Sequence, residues 1–120
     1  MKSTLMKLFV IGLCVSFFPI QAIAQTGGFT GFHAIESLNQ RQCRPSQGFE
    51  IILATPHTNP DGCSSARVLG LECSEAWYLP SVAVFLTAFT GDYQIQSFVN
   101  GCNAQGYAIV KSVQMNPSSL

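Results

Sequence analysis

Residues 79–102 read LPSVAVFLTAFTGDYQIQSFVNGC, and this stretch decides the fold. It is expected to form one short helix, a glycine stop and one strand that ends at a cysteine. Val82, Phe85, Leu86 and Phe89 recur at i, i+3, i+4 and i+7, which predicts a helical stripe facing the core. Pro80 suits the first helical turn, where its missing N–H would have no intrahelical partner. Gly91 is expected to end the helix in a left-handed conformation, which glycine adopts without steric cost. Over residues 93–99 polar and apolar residues alternate, with Ser97 and Phe98 out of phase, as in a half-buried strand. Burying each large stripe residue would contribute roughly 1.5–3 kcal/mol, enough to dock one helix on a small sheet.

Toward the N-terminus, residues 66–72 (ARVLGLE) and 49–55 (FEIILAT) read as strands, the second rich in aromatic and β-branched residues. Phe49, Ile51 and Leu53 share one of its faces, and Ile52 and Ala54 the other, so both faces are expected to be covered. Between these strands, residues 56–65 form a loop in which Asn59, Pro60, Asp61 and Gly62 have β-turn chemistry. Residues 31–39 (GFHAIESLN) read as a first strand with Phe32, Ala34 and Leu38 on one face and Glu36 breaking the pattern. Residues 40–48 have turn composition. Trp77 and Tyr78 are expected in an irregular or extended lead into a helix over residues 80–90. Downstream, residues 100–106 form a glycine turn and residues 107–115 (YAIVKSVQM) the last strand. The order β-β-β-α-β-β is mainly β with one helix, the order of a small OB-like five-stranded barrel.

The N-terminus carries Lys2 and Lys7, an apolar run over residues 8–18, and the small-residue pattern Ala22, Ile23, Ala24. These features predict a secretory signal peptide over residues 1–24, cleaved before Gln25, and one secreted or periplasmic domain over residues 25–120. Cys14 follows bulky Leu13 inside the apolar run and is a poor site for lipid attachment. Removing the signal takes two of the six basic residues and none of the six acidic ones. No basic field remains for nucleic acid or anionic lipid, and no second apolar run approaches spanning length. Neither a nucleic-acid partner nor membrane insertion is expected.

Four cysteines remain: Cys43, Cys63, Cys73 and Cys102. In an exported small domain an even number implies disulfides, and the C-x-x-C spacing of a zinc site is absent. If strands alternate up and down, Cys43 and Cys73 share one end of the sheet, and Cys63 and Cys102 the other. The expected bridges are therefore Cys43–Cys73 and Cys63–Cys102. A hairpin bridge Cys63–Cys73, leaving Cys43–Cys102, is the alternative.

The blocks NPDGCSSARVL, PSVAVFLTAFTGDYQIQSFVNGC and GYAIVKSVQM resemble small secreted bacterial proteins related to the B subunit of subtilase cytotoxin. That family is similar to the receptor-binding subunits of typhoid toxin. The likeness rests on Leu86, Ala88, Thr90 and Gly91 in the helix, the alternating strand, Gly101-Cys102, and Gly106-Tyr107. It implies an OB-like fold, a homopentamer, a toxic partner subunit, and binding of sialylated or related host glycans.

Glycan sites need flat aromatic faces for sugar C–H groups and neutral hydrogen-bonding groups for hydroxyls. Trp77, Tyr78, Tyr93 and Tyr107 are the candidate faces; Thr55, His57, Thr58 and Asn59 offer polar groups from a loop, where binding residues concentrate. Thr55, His57, Asn59, Trp77 and Tyr78 form the candidate ligand set. His33, His57 and Lys111 have the side chains of a metal-independent ribonuclease, a remote alternative. No nucleophile elbow, P-loop or metal-binding histidine pair is present, so no catalytic residue, metal or cofactor is assigned. Ala83, Val84, Thr87 and Ala88 lie off the helical stripe and are small enough for a contact between subunits. The expected function is a secreted, non-enzymatic binding module, with a small structural or inhibitor-like partner-binding protein as the alternative.

Overall fold

The computed structural model describes residues 26–44 and 48–117, so the expected signal peptide lies outside the described residues. The elements in order are β1 (Gly28–Phe29), β2 (Ile35–Gln40), β3 (Gly48–Leu53), β4 (Val68–Glu72), α1 (Tyr78–Gly91), β5 (Tyr93–Cys102) and β6 (Ala108–Pro117). The class is mainly β with one helix. The strands form one six-stranded sheet in the order β1-β5-β6-β4-β3-β2 rather than the five strands expected, because β1 adds itself to β5. β4 and β6 are parallel and the other pairs antiparallel, so the sheet is mixed. It is open, with β1 and β2 as its edges. The chain between these edges passes β5, where Thr30 N–H donates to the Ser97 carbonyl and His33 forms a single antiparallel bridge with Ile95.

Phe49, Ile51 and Leu53 of β3 point inward and are almost fully buried. The opposite face of that strand is not covered as expected: Ile52 is half-buried and Ala54 exposed. In β2 the register slips between Ile35 and Ser37, a bulge at Glu36. An extra residue flips the pleat, so Ile35 and Leu38, three apart, both pack on the core. Phe32 and Ala34, expected on that face, precede the strand and lie outside the core. β5 alternates without exception: Ile95, Ser97, Val99 and Gly101 are buried. Ser97 is therefore in phase, and Phe98 faces out against Phe29, ring centroids 5.3 Å apart. β5 also runs on through Asn100 to Cys102, which shortens the following turn.

The helix corrects three expectations. It begins at Tyr78, so Trp77 and Tyr78 are its cap and first residue rather than an extended lead. Asp92, not Gly91, takes the left-handed conformation (φ 57°), and its N–H donates to the Ala88 carbonyl. Gly91 is a glycine for another reason: a Cβ there would lie 2.5 Å from the Tyr93 ring. Finally, the buried face is Ser81, Phe85 and Ala88, while Leu86 and Phe89 are 46% and 44% exposed. Residues 76–91 carry no charge, so the pattern leaves two apolar faces to choose between. Packing chooses the face whose small Ser81 and Ala88 let the helix approach the sheet, with the Phe85 ring 6.4 Å from that of Phe49. Ala88 is thus a core residue and not part of an exposed face.

Cys43 is bonded to Cys73 and Cys63 to Cys102, with Cα atoms 5.6 and 5.5 Å apart. The first bond joins the loop after β2 to the end of β4. The second joins the β3–β4 loop to the end of β5. They pin opposite ends of the sheet, as strand alternation requires. Two disulfides in so small a domain belong to an oxidising compartment. Among the described residues no helix is long and apolar enough to cross a membrane.

Candidate functional site

The β3–β4 loop holds Thr55, His57 and Asn59 of the candidate ligand set. The His33 ring sits between Thr30 and Thr55: Nε2–H donates to the Thr30 carbonyl (2.9 Å), leaving Nδ1 to accept from the Thr55 hydroxyl (2.8 Å). His57 is buried, and its Nδ1–H donates to the Thr58 carbonyl at 2.7 Å. Its Nε2 is buried with no partner among the described residues. Burial lowers the His57 pKa, and nearby His33 lowers it further, against a raising effect of the Thr58 hydrogen bond. Asn59 closes the turn on itself, accepting from Cys63 N–H at 3.0 Å and donating to Cys63 O at 2.6 Å. Asp61 accepts from Gly27 N–H and Gly101 N–H, tying the loop to β5. Asn59 and Asp61 are thus engaged in holding the backbone of this rim.

Trp77 and Tyr78 lie at the other end of the β3–β4 ladder, beyond the end of β4. A six-residue strand such as β3 spans about 20 Å, too far for one small ligand to bridge the two groups. Trp77 Nε1–H donates to the Val110 carbonyl at 3.3 Å, and Lys111 Nζ stands 5.5 Å from the centre of its ring. Tyr78 pairs its hydroxyl with the Gln40 amide at 2.9 Å. Lys111 is also paired with Glu75 at 3.5 Å, and so sits with Trp77 rather than with His57.

A cleft opens instead on the outer face of β3 and β4. Gly48, Phe49, Glu50, Gly70, Leu71, Glu72, Asn103, Gln105 and Tyr107 line this shallow hollow, which is open to solvent. The register explains its floor. Gly48 pairs with Glu72 and Glu50 with Gly70, so each carboxylate stem stands opposite a residue without a side chain. The two glutamates occupy a diagonal, with stems about 7–8 Å apart. The turn after β5 forms the wall. Asn103 Oδ1 accepts from the N–H groups of Gln105 (3.0 Å) and Tyr107 (2.9 Å), which sets both residues around the hollow. Gly70 makes room for that amide, since a Cβ there would lie 2.5 Å from Asn103 Nδ2.

The two carboxylates differ. Glu50 is bound by Arg41 at 2.7 Å and is only 12% exposed. Glu72 has no ion pair or side-chain hydrogen bond among the described residues. Chemically the cleft offers a carboxylate acceptor, amide donors and one aromatic ring with its hydroxyl. Tyr107 was among the aromatics named from sequence; Glu50, Glu72, Asn103 and Gln105 were not. One signal for them existed. Gly48-Phe49-Glu50 and Gly70-Leu71-Glu72 repeat one tripeptide pattern, and antiparallel pairing of such tripeptides sets glycine opposite glutamate.

Among the described residues no three His, Cys, Asp or Glu side chains gather as a metal site. Comparison with protein-family models, curated proteins and solved structures finds no match to this chain.

Proposed function

We propose that the protein is an exported, non-enzymatic carbohydrate-binding module whose sugar site is the β3–β4 cleft. The observation that carries this reading is a shallow, solvent-open hollow lined by Tyr107, the Asn103 and Gln105 amides, and the Glu72 carboxylate, which has no partner among the described residues. A sugar presents hydroxyls that both donate and accept, and one apolar C–H face. Glu72 accepts from hydroxyls, the Asn103 and Gln105 amides donate to them, and the Tyr107 ring covers the C–H face.

The strand arrangement supports the same reading. With β2, β3, β4, β5 and β6 taken as five barrel strands, the parallel β4–β6 pair and the His33–Ile95 bridge fit an OB-like barrel. In such barrels the face of the second and third strands, with the loop before the last strand, binds oligosaccharides. Here those parts are β3, β4 and the turn carrying Asn103, Gln105 and Tyr107. This support is fold analogy, and the side chains of the cleft carry the functional argument. Leu79, 75% exposed, continues along the helix into Leu86 and Phe89. That uncovered apolar face suits a contact between copies, in line with the ring of five implied by the resemblance. Light scattering of the exported protein tests the ring, and a strict monomer removes it.

A glycan array probed with the exported protein tests the site. Binding that disappears in both Glu72→Ala and Tyr107→Ala supports it; silence of the wild-type protein across the array rejects it.

A further inference from the structure

This inference rests on the carbohydrate-binding reading. We infer that the cleft selects neutral sugars and turns away acidic ones such as sialic acid, opposite to the ligands implied by the family resemblance. The reason is the charge that faces the ligand. An acidic sugar is held most strongly where a cation pairs with its carboxylate. The described residues contain four cationic side chains. Arg41 is held by Glu50, Arg67 by Glu36 and the Leu53 carbonyl, and Lys111 by Glu75. Exposed Arg44 is not among the residues lining the cleft.

What the cleft does present is the carboxylate of Glu72, without a partner among the described residues, with the Arg41-neutralised Glu50 diagonal to it. Two oxygens of one carboxylate match two neighbouring hydroxyls of a sugar ring, each forming a charge-assisted hydrogen bond. Asn103 Nδ2, whose partner oxygen is occupied by the turn, donates to a ring or hydroxyl oxygen. A sialic acid carboxylate in the same hollow meets Glu72 as a like charge. A neutral ligand also leaves no net charge to screen, so its binding changes little with salt.

The test uses exported wild-type protein and Glu72→Gln on an array of galactose-, glucose-, mannose- and N-acetylglucosamine-terminated glycans, each beside its sialic-acid-capped counterpart. Titration calorimetry of the best pair at low and high salt follows. The expected result is at least tenfold tighter binding of the neutral glycan by the wild-type protein, unchanged by salt. Glu72→Gln, which keeps the shape and removes the charge, weakens neutral binding and brings the two members of the pair within about threefold. Equal or tighter binding of the sialylated member by wild type overturns the inference and leaves the carbohydrate reading standing. So does neutral binding that Glu72→Gln leaves unaltered, because the site then lies elsewhere. Silence toward every glycan overturns both.

Discussion

The rim loop between β3 and β4 and the cleft on their outer face carry the same kinds of side chain in opposite states. At the rim, Asp61 accepts two backbone N–H groups, Asn59 closes its own turn, and Thr55 bonds His33. In the cleft, Glu72 stands without a partner among the described residues. The difference follows from the backbone beneath them. An irregular loop leaves N–H and C=O groups unpaired, and nearby polar side chains are drawn in to satisfy them. A paired strand satisfies its own backbone and leaves its polar side chains to the solvent or to a ligand. Asp61 and Asn59 of the rim therefore act on stability, and Glu72 of the cleft on binding.

The largest expected effect lies at the rim. Replacing Cys63 and Cys102 together by serine costs about 2–5 kcal/mol in denaturant unfolding, while the protein that remains folded keeps its sugar affinity. Loss of affinity in the folded fraction would break the division between the two regions. Asp61→Ala comes next, at roughly 2–3 kcal/mol, because two partly buried N–H groups lose a charged acceptor. An unchanged unfolding midpoint would show that water replaces that carboxylate without cost.

His57 supplies a pH dependence. Its folded pKa lies below the ordinary value of 6.5, so on acidification the unfolded chain takes up a proton first. The stability from the neutral, buried ring is complete above pH 6.5 and is lost as pH falls from there through the lower folded value. Melting temperatures measured across this range should slope downward in the wild-type protein and less so in His57→Gln. Equal slopes would assign the acid sensitivity to other groups. The smallest effect on stability is expected in the cleft: Glu72→Gln shifts it by less than about 0.5 kcal/mol, measured by the same unfolding curves. A larger loss would mean that Glu72 supports the fold, which would erase the contrast.

The inner face of β3 was legible because Phe49, Ile51 and Leu53 repeat at the strand period. The disulfide ends were legible because strand alternation leaves little choice of which cysteines can meet. The buried face of α1 was not, since a helix without charges carries no mark of which apolar side meets the sheet. β2 misled for a local reason: one bulge at Glu36 changes which residues share a face. The candidate site failed to emerge because composition counts polar groups without showing which of them the backbone has already taken. Thr55, His57 and Asn59 are polar residues in a loop by sequence, and only the fold shows their bonds turned inward.

The sequence by itself determined the class of the fold, the approximate position of the helix and the strong β3 core strand, and it favoured the two sulfur pairings that the structure shows. These depend on local periodicity and on chain direction, which are written in residue order. The tertiary structure alone decided which helix face is covered, where β1 pairs, and that Glu50, Glu72, Asn103, Gln105 and Tyr107 surround one hollow. Those outcomes depend on register and packing between segments far apart in the chain, and a shift of one residue in β3 or in β4 would turn that strand's glutamate to the other side of the sheet.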